Sequence, residues 1–251
     1  MKIQVLSDIH VEFRADKPFQ IPPSDAHVIV LAGDIGEGLQ GITWAADQSQ
    51  RVGKQVIYVP GNHEYYNQDI TRHDDAMRKH ADALGVAFLN EDVFDYGGVR
   101  FVGATLWTSF KNECGKDDWF AMDQARRGLA DYHLIRREST GLHPRHTQVL
   151  HASASQFIAK ALDASSPDRT VVVTHHAPSH RCTNPDFPFG PMTRAFSSSL
   201  DSLLGKSAAW TYGHTHACFY ETINGTWVIS NQLGYPGERN HGFDPHKVIE
   251  I

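Results

Sequence analysis

No apolar run in this 251-residue chain approaches the roughly 20 residues that a membrane span requires, so membrane passage by a helix is not expected. The first residues, Met1 to Leu6, enter a strand-like stretch directly and lack the long apolar core of a signal peptide, which makes the cytoplasm the expected location. Cysteine is scarce: three residues, Cys114, Cys182 and Cys218, odd in number and far apart. That pattern fits neither a disulfide framework nor a zinc ribbon. Positive charge is also short, with 23 Lys and Arg against 29 Asp and Glu and a formal net charge of −6. A protein that grips long nucleic acid by charge needs a basic footprint, so long polyanions are not the expected partner, although single Arg residues could still hold one phosphate. Repeats, low-complexity segments and an obvious linker are absent as well, and the chain reads as one domain over residues 1–251.

Histidine is abundant, at 16 residues, and much of it falls at the ends of short apolar runs. The clusters are Asp8-Ile9-His10, Gly33-Asp34, Gly61-Asn62-His63-Glu64, His175-His176 and Gly213-His214-Thr215-His216. They follow the strand-like stretches Ile3 to Leu6, Val28 to Leu31, Val56 to Val59, Val171 to Val173 and Ala208 to Thr211. Strands of one sheet end at a common edge, so residues distant in sequence can converge there. Asp8 and His10, and again His214 and His216, are two apart, a spacing that puts both side chains on one face of extended backbone. A mixed set of Asp, Asn and His suits two hard-to-borderline divalent cations. Gly33, Gly61 and Gly213 each precede such a residue, where a tight turn brings backbone close to the site.

Strands alternating with helix-like segments at 39–50 and 68–84 predict an α/β class with parallel pairing. Val28 to Leu31 and Val171 to Val173 are continuously apolar, as strands buried on both faces are. Further strands are expected at 86–89, 93–96 and 99–106, the last two joined at Gly97-Gly98, and a helix at 146–162 with Val149, Leu150, Phe157, Ile158 and Leu162 inward. Asn224-Gly225 predicts a hairpin between 219–222 and 226–230, and 247–251 a final strand. Residues 107–145 are charged and irregular, a candidate insertion or cap over the edge. His73 and His80 read as surface residues, Trp44, Trp210 and Trp227 as core, while Trp107 and Trp119 stay open.

In this order, Asp-x-His, Gly-Asp, Gly-Asn-His-Glu, a mid-chain His and Gly-His-x-His resemble the calcineurin-like metallophosphoesterases over residues 8–216. The resemblance implies a four-layer αββα sandwich, two packed mixed β-sheets flanked by helices. It implies one metal on Asp8, His10, Asp34 and His216, and another on Asp34, Asn62, His175 and His214, with Asp34 bridging. Within the His175-His176 pair it favours His175, leaving His176 behind it or facing substrate. Such metals sit roughly 3.5–4 Å apart and share a water or hydroxide that attacks phosphorus in line, with pKa lowered towards about 7. His63 is then the expected proton donor or phosphate contact. Manganese is favoured among manganese, iron, zinc and nickel. Where many relatives carry a further Asp after Gly-Asp, this chain has Ile35-Gly36-Glu37.

The expected activity is therefore dinuclear metal-dependent hydrolysis of a small-molecule phosphomonoester or phosphodiester. A cyclic-nucleotide phosphodiesterase is one specific form. A non-catalytic scaffold on the same fold is the alternative, and retention of every ligand-type residue and of His63 argues against it. Arg181, Arg194 and Arg239 flank the later motifs, and Arg181 is carried as a phosphate-clamp candidate.

Overall fold

The computed structural model describes residues 1–187, 189–238, 240 and 242–251. In chain order the elements are β1 (Lys2–Leu6), β2 (Val28–Ala32), α1 (Gln40–Val52), β3 (Gln55–Val59), α2 (Ile70–Leu84), β4 (Ala87–Phe88), β5 (Asp92–Tyr96), β6 (Val99–Ala104) and α3 (Trp119–Gly128). They continue with α4 (Asp131–Leu134), β7 (Arg136–Arg137), β8 (Thr140–Gly141), α5 (Pro144–Asp163), β9 (Thr170–Thr174), β10 (Ala209–Tyr212), β11 (Phe219–Ile223), β12 (Thr226–Ser230) and β13 (Val248–Glu250).

Two sheets form the centre. One has the order β13-β1-β2-β3-β4, and the other β11-β12-β10-β9-β6-β5. Pairing is parallel through β1, β2, β3 and β4 and through β12, β10, β9 and β6, while β13, β11 and β5 lie antiparallel at the edges. Strand alternation sorts the side chains into three cores. Ile3, Val5, Val28, Val30, Ile57 and Val59 of the first sheet meet Phe101, Val171, Val173, Ala209 and Ile229 of the second. The intervening Ile29, Leu31, Val56 and Tyr58 face Ile42, Ala45 and Met77 of α1 and α2. On the far side Val102, Val172, Trp210 and Val228 face Ala154, Ile158 and Leu162 of α5. The result is helix, sheet, sheet, helix, the α/β sandwich of mixed sheets. Each buried Val, Leu or Ile contributes about 1.5–3 kcal/mol by leaving water, which is why the strands carry apolar residues on both faces.

Several expectations shift. His73 is buried, because Ile70, His73, Met77 and Ala81 fall at helical spacing on the inner face of α2. Val149 is 70% exposed: the inner face of α5 is Pro144, Thr147, His151, Ala154, Ile158 and Leu162, so two polar residues occupy it and the valine points away. The stretch 107–145 is more ordered than its composition suggests, holding α3, α4 and the β7–β8 hairpin. Trp107 is buried there, and Trp119 is 59% exposed beneath the Arg145 guanidinium, 4.0 Å from the ring centre. Asn224 and Gly225 both take positive φ, 51° and 91°, as the tight β11–β12 hairpin requires.

Candidate metal centre and active site

The carboxyl ends of β1, β2, β3, β9 and β10 meet at one edge, and the turns that leave them carry the five sequence clusters. Asp8, His10, Asp34, His214 and His216 all adopt left-handed backbone, with φ of 53°, 51°, 54°, 70° and 48°. For non-glycine residues this costs on the order of 1 kcal/mol or more, so the surrounding structure must hold it. Part of the hold is direct: the Asp8 and His10 amides donate to the carbonyls of Gly33 and Asp34, each at 3.0 Å. The His214 amide donates to Asp8 Oδ1 at 2.9 Å and the His216 amide to Gln232 Oε1 at 2.5 Å, while the fully buried Glu64 holds the β2 and β3 turns. Its carboxylate accepts from the amides of Asp34, Ile35, Gly36 and Gly61 at 2.6–3.3 Å and from the Tyr58 hydroxyl at 2.6 Å, clamping the β2 and β3 turns together. A Cβ on Gly61 would strike the Asp34 carboxylate, and one on Gly33 would strike the His175 ring. Only glycine lets these turns approach so closely.

Among the described residues three groups of possible donors result, of which His10, Glu12 and His63 form one, and the other two are those expected from the sequence. Asp8, His10 and His216 lie together, with the His10 and His216 Nε2 atoms 3.2 Å apart and His216 Nε2 3.5 Å from Asp8 Oδ1. Asp34, His175 and His214 form the second group, with His175 Nε2 3.3 Å from Asp34 Oδ1 and 2.9 Å from Asn62 Oδ1. Asp34 reaches both, since its Oδ2 is 4.0 Å from His10 Nε2. The outward nitrogens are tied back: His10 Nδ1 to Glu12 (3.2 Å), His216 Nδ1 to Glu238 (2.6 Å), and His175 Nδ1 to the Ala32 carbonyl (3.0 Å). Such bonds fix the proton on Nδ1 and leave Nε2 with a lone pair aimed inward, the tautomer a metal needs. Among the described residues, the buried Asp8 Oδ2 and His214 Nε2 have no hydrogen-bond partner. An unpartnered buried carboxylate oxygen and imidazole nitrogen are costly unless a cation completes them, so the donor set fits divalent metal.

The buried charges also pair with one another, and a cation binding at His175 would displace the proton that Asp34 favours there. Burial opposes ionisation of Asp34, yet the rings of His175, His63 and His10 hold it well below the usual carboxylate range. Burial likewise opposes charge on His63, but Asp34, Glu12 and Glu64 outweigh it and push the ring up to about 9. His175 follows the same balance, to about 9, with Asp34 as the main partner. His214 moves the other way, driven down by burial and by its neighbours His176 and His175.

His63 stands beside both groups. Its Nε2 is 3.0 Å from the Tyr235 hydroxyl and 3.8 Å from Asp34 Oδ2, while its Nδ1 is 2.9 Å from Glu12. Of the adjacent pair, His175 joins the donors. His176 is buried behind them, with Nδ1 on the Thr105 carbonyl at 3.1 Å and its ring against Trp107 and His214. Arg181 is not brought to the site; it is exposed and lies 3.4 Å from Glu221. Arg194 is buried and engaged with Glu113 and Asp118. Arg239 lies outside the described residues.

Asp34, Asn62, His214 and His216, with His63, line a cavity of about 540 Å³ whose wall also includes Tyr66, Asp131, Phe196, Tyr235 and Glu238. Sequence reasoning missed several partners here. Glu12 continues the spacing of Asp8 and His10, but these residues lie in left-handed and helical-turn backbone, so spacing along a strand does not identify it. Asp131 has no local signal: it sits in the irregular stretch, and its Oδ1 accepts from Asn62 Nδ2 and the Tyr66 hydroxyl, both at 2.9 Å, which turns the Asn62 oxygen towards the donors. Tyr235 and Glu238 come from a loop after β12 without any motif.

Comparison with known proteins places the chain by family and by fold. An uncharacterized protein of Acanthamoeba polyphaga mimivirus is 26% identical over 278 residues, covering 99% of this chain and 96% of the relative. The [acyl-carrier-protein] phosphodiesterase PptH of Mycobacterium tuberculosis is 36% identical over 64 residues, a local match of 24% of this chain and 20% of the relative. The crystal structure of that phosphopantetheinyl hydrolase superposes with a TM-score of 0.72 at 22% identity, covering 94% of this chain and 90% of PptH, which shows a shared fold. The model of the calcineurin-like phosphoesterase family matches residues 1–218. The chain belongs to the calcineurin-like phosphoesterases, metal-dependent hydrolases of phosphoester bonds.

Proposed function

We propose that the chain works as a single unit hydrolysing a small-molecule phosphoester with two divalent cations, manganese favoured, in the cytoplasm. Asp8, His10, His216 and Asp34 would hold one cation, and Asp34, Asn62, His175 and His214 the other. The observation that carries this reading is the convergence of inward Nε2 atoms and carboxylate oxygens in two groups sharing Asp34. Cations bound there supply Lewis-acid activation of water and neutralise charge developing on the phosphoryl oxygens. The chain's own residues do the rest. His63 would donate a proton to the departing alkoxide, with Glu12 fixing its ring and Tyr235 at its reactive nitrogen. Asp131 orients Asn62, and Glu64 keeps the β2 and β3 turns in register. The name of the relative PptH puts phosphodiesters first among substrates to try.

The test is hydrolysis of an aryl phosphate and an aryl phosphodiester with added manganese, beside metal analysis of the purified protein. Asp34→Ala removes the donor common to both groups and should cut turnover on the order of 10³-fold, the scale of several kcal/mol of lost charge stabilisation. Metal-independent turnover, or wild-type turnover in Asp34→Ala, would overturn the proposal.

A further inference from the structure

A second cavity, about 290 Å³, adjoins the first, walled by Thr183, Asn184, Phe187, Met192, Thr193, Phe196 and Thr215. Asn184, Phe187, Phe196 and Thr215 line both spaces. The junction is at the metal-donor turn itself. Phe196 stacks on the His214 ring, centroids 4.8 Å apart and 30° between planes, and Thr215 lies between His214 and His216. Asn184 anchors the wall there by donating from Nδ2 to the Thr215 carbonyl at 3.1 Å, while its Oδ1 accepts from the Asp186 amide at 2.9 Å.

The two spaces differ in chemistry. The larger one presents imidazoles and the carboxylates of Asp34, Asp131, Asp186 and Glu238. The smaller one, among the described residues, presents two Phe, one Met, three Thr and one Asn, with no charged side chain. Phe187 is 71% exposed on the shared wall, a large ring left in water beside an apolar recess. A volume near the lower end of the roughly 300–1,000 Å³ of ligand pockets suits one chain rather than a whole cofactor.

We infer that this recess is a substrate subsite that takes an uncharged, mainly apolar ester arm while the phosphoryl group lies at the metal centre. The inference rests on the proposed phosphoester hydrolysis and narrows its substrate class to esters with an alkyl or similar uncharged chain. In the reaction, water's oxygen joins phosphorus and the P–O bond to the departing arm breaks. One proton of the water stays on the product phosphate or passes to solvent, and the departing alkoxide takes a proton to become an alcohol. The recess selects an arm by removing its apolar surface from water, and charged arms are refused because no countercharge lines it.

Binding of a linear alkylphosphonate series, methyl to octyl, to the manganese-loaded protein tests this by calorimetry. Affinity should rise by up to about fourfold per methylene until the recess is filled and then level off. Phe187→Ala, at an exposed position that folding does not need, and Met192→Glu should both flatten that slope. A carboxylate-tipped alkylphosphonate of matched length should lose the gain. Equal affinity along the series, no binding by any member, or an unchanged slope in both variants overturns the inference. Aryl phosphodiester turnover is measured separately, so failure of the hydrolase reading stays distinguishable from failure of the subsite.

Discussion

The floor and the rim of the cavity are built by different means. The floor is made of turns leaving buried parallel strands, and Asp34 and Asn62 there are only 2% and 3% exposed. Left-handed backbone, close glycine contacts and, at β2 and β3, the buried Glu64 hold these turns through the protein's own groups. The rim comes from residues 128–131 and from Asn184, Asp186, Phe187 and Phe196, with the exposed ring of Phe187 among them. A floor that binds cations must be preorganised, because misplaced donors lose affinity. A rim that meets substrate can vary without disturbing it. Asp131 is the exception: it belongs to the rim in sequence and to the floor in burial, at 5% exposed.

That exception offers the strongest test of the division. Asp131→Ala removes the acceptor that orients the Asn62 amide and should weaken cation binding by about 10–100-fold, as partners behind metal ligands do. If the proposed two-cation centre holds, the loss should fall on one of two binding steps, and metal titration followed by calorimetry would show it. Two unchanged binding steps would mean that the floor orients Asn62 unaided.

His151 probes the boundary from below. It lies on the inner face of α5, and burial drives it down to about 4, offset only in part by the carbonyls of Trp107 and Leu106 at the start of the irregular stretch. Below pH 6.5 the unfolded chain takes up this proton, whereas the native protein does not until about pH 4. Stability from this residue is therefore complete above 6.5 and is lost as pH falls through that window, by about 2 kcal/mol at pH 5. Denaturant titrations at pH 7.5 and pH 5 should show His151→Gln losing less on acidification than the parent protein. Equal losses would place the acid sensitivity elsewhere.

The smallest effect belongs to the surface beyond the cavity wall. Trp119→Ala removes a ring stacked under Arg145 at an exposed position, which should cost about 0.5–1 kcal/mol and leave metal binding unchanged. A change in cation affinity would mean that this surface and the floor are mechanically joined.

Legibility followed the same line. The strands were readable because burial on both faces demands unbroken runs such as Val28 to Leu31 and Val171 to Val173. The donors were readable because each lies two to five residues beyond such a run. The inner face of α5 was misjudged because Thr147 and His151 occupy it in place of Val149, and only neighbouring strands decide which helical face is covered. Tyr235, Glu238 and Asp131 were invisible, since their partners lie 172, 22 and 69 residues away.

The sequence by itself determined the strand ends, the identity and order of the donors, and the family those motifs resemble. These are local properties of spacing and residue type. Tertiary structure decided the grouping of donors around Asp34, the retreat of His176 behind His175, the tie of each outward imidazole nitrogen, and the apolar recess beside Phe196. Those depend on which turns meet at one edge of two packed sheets, and no local pattern encodes a distance between segments that only the folded chain brings together.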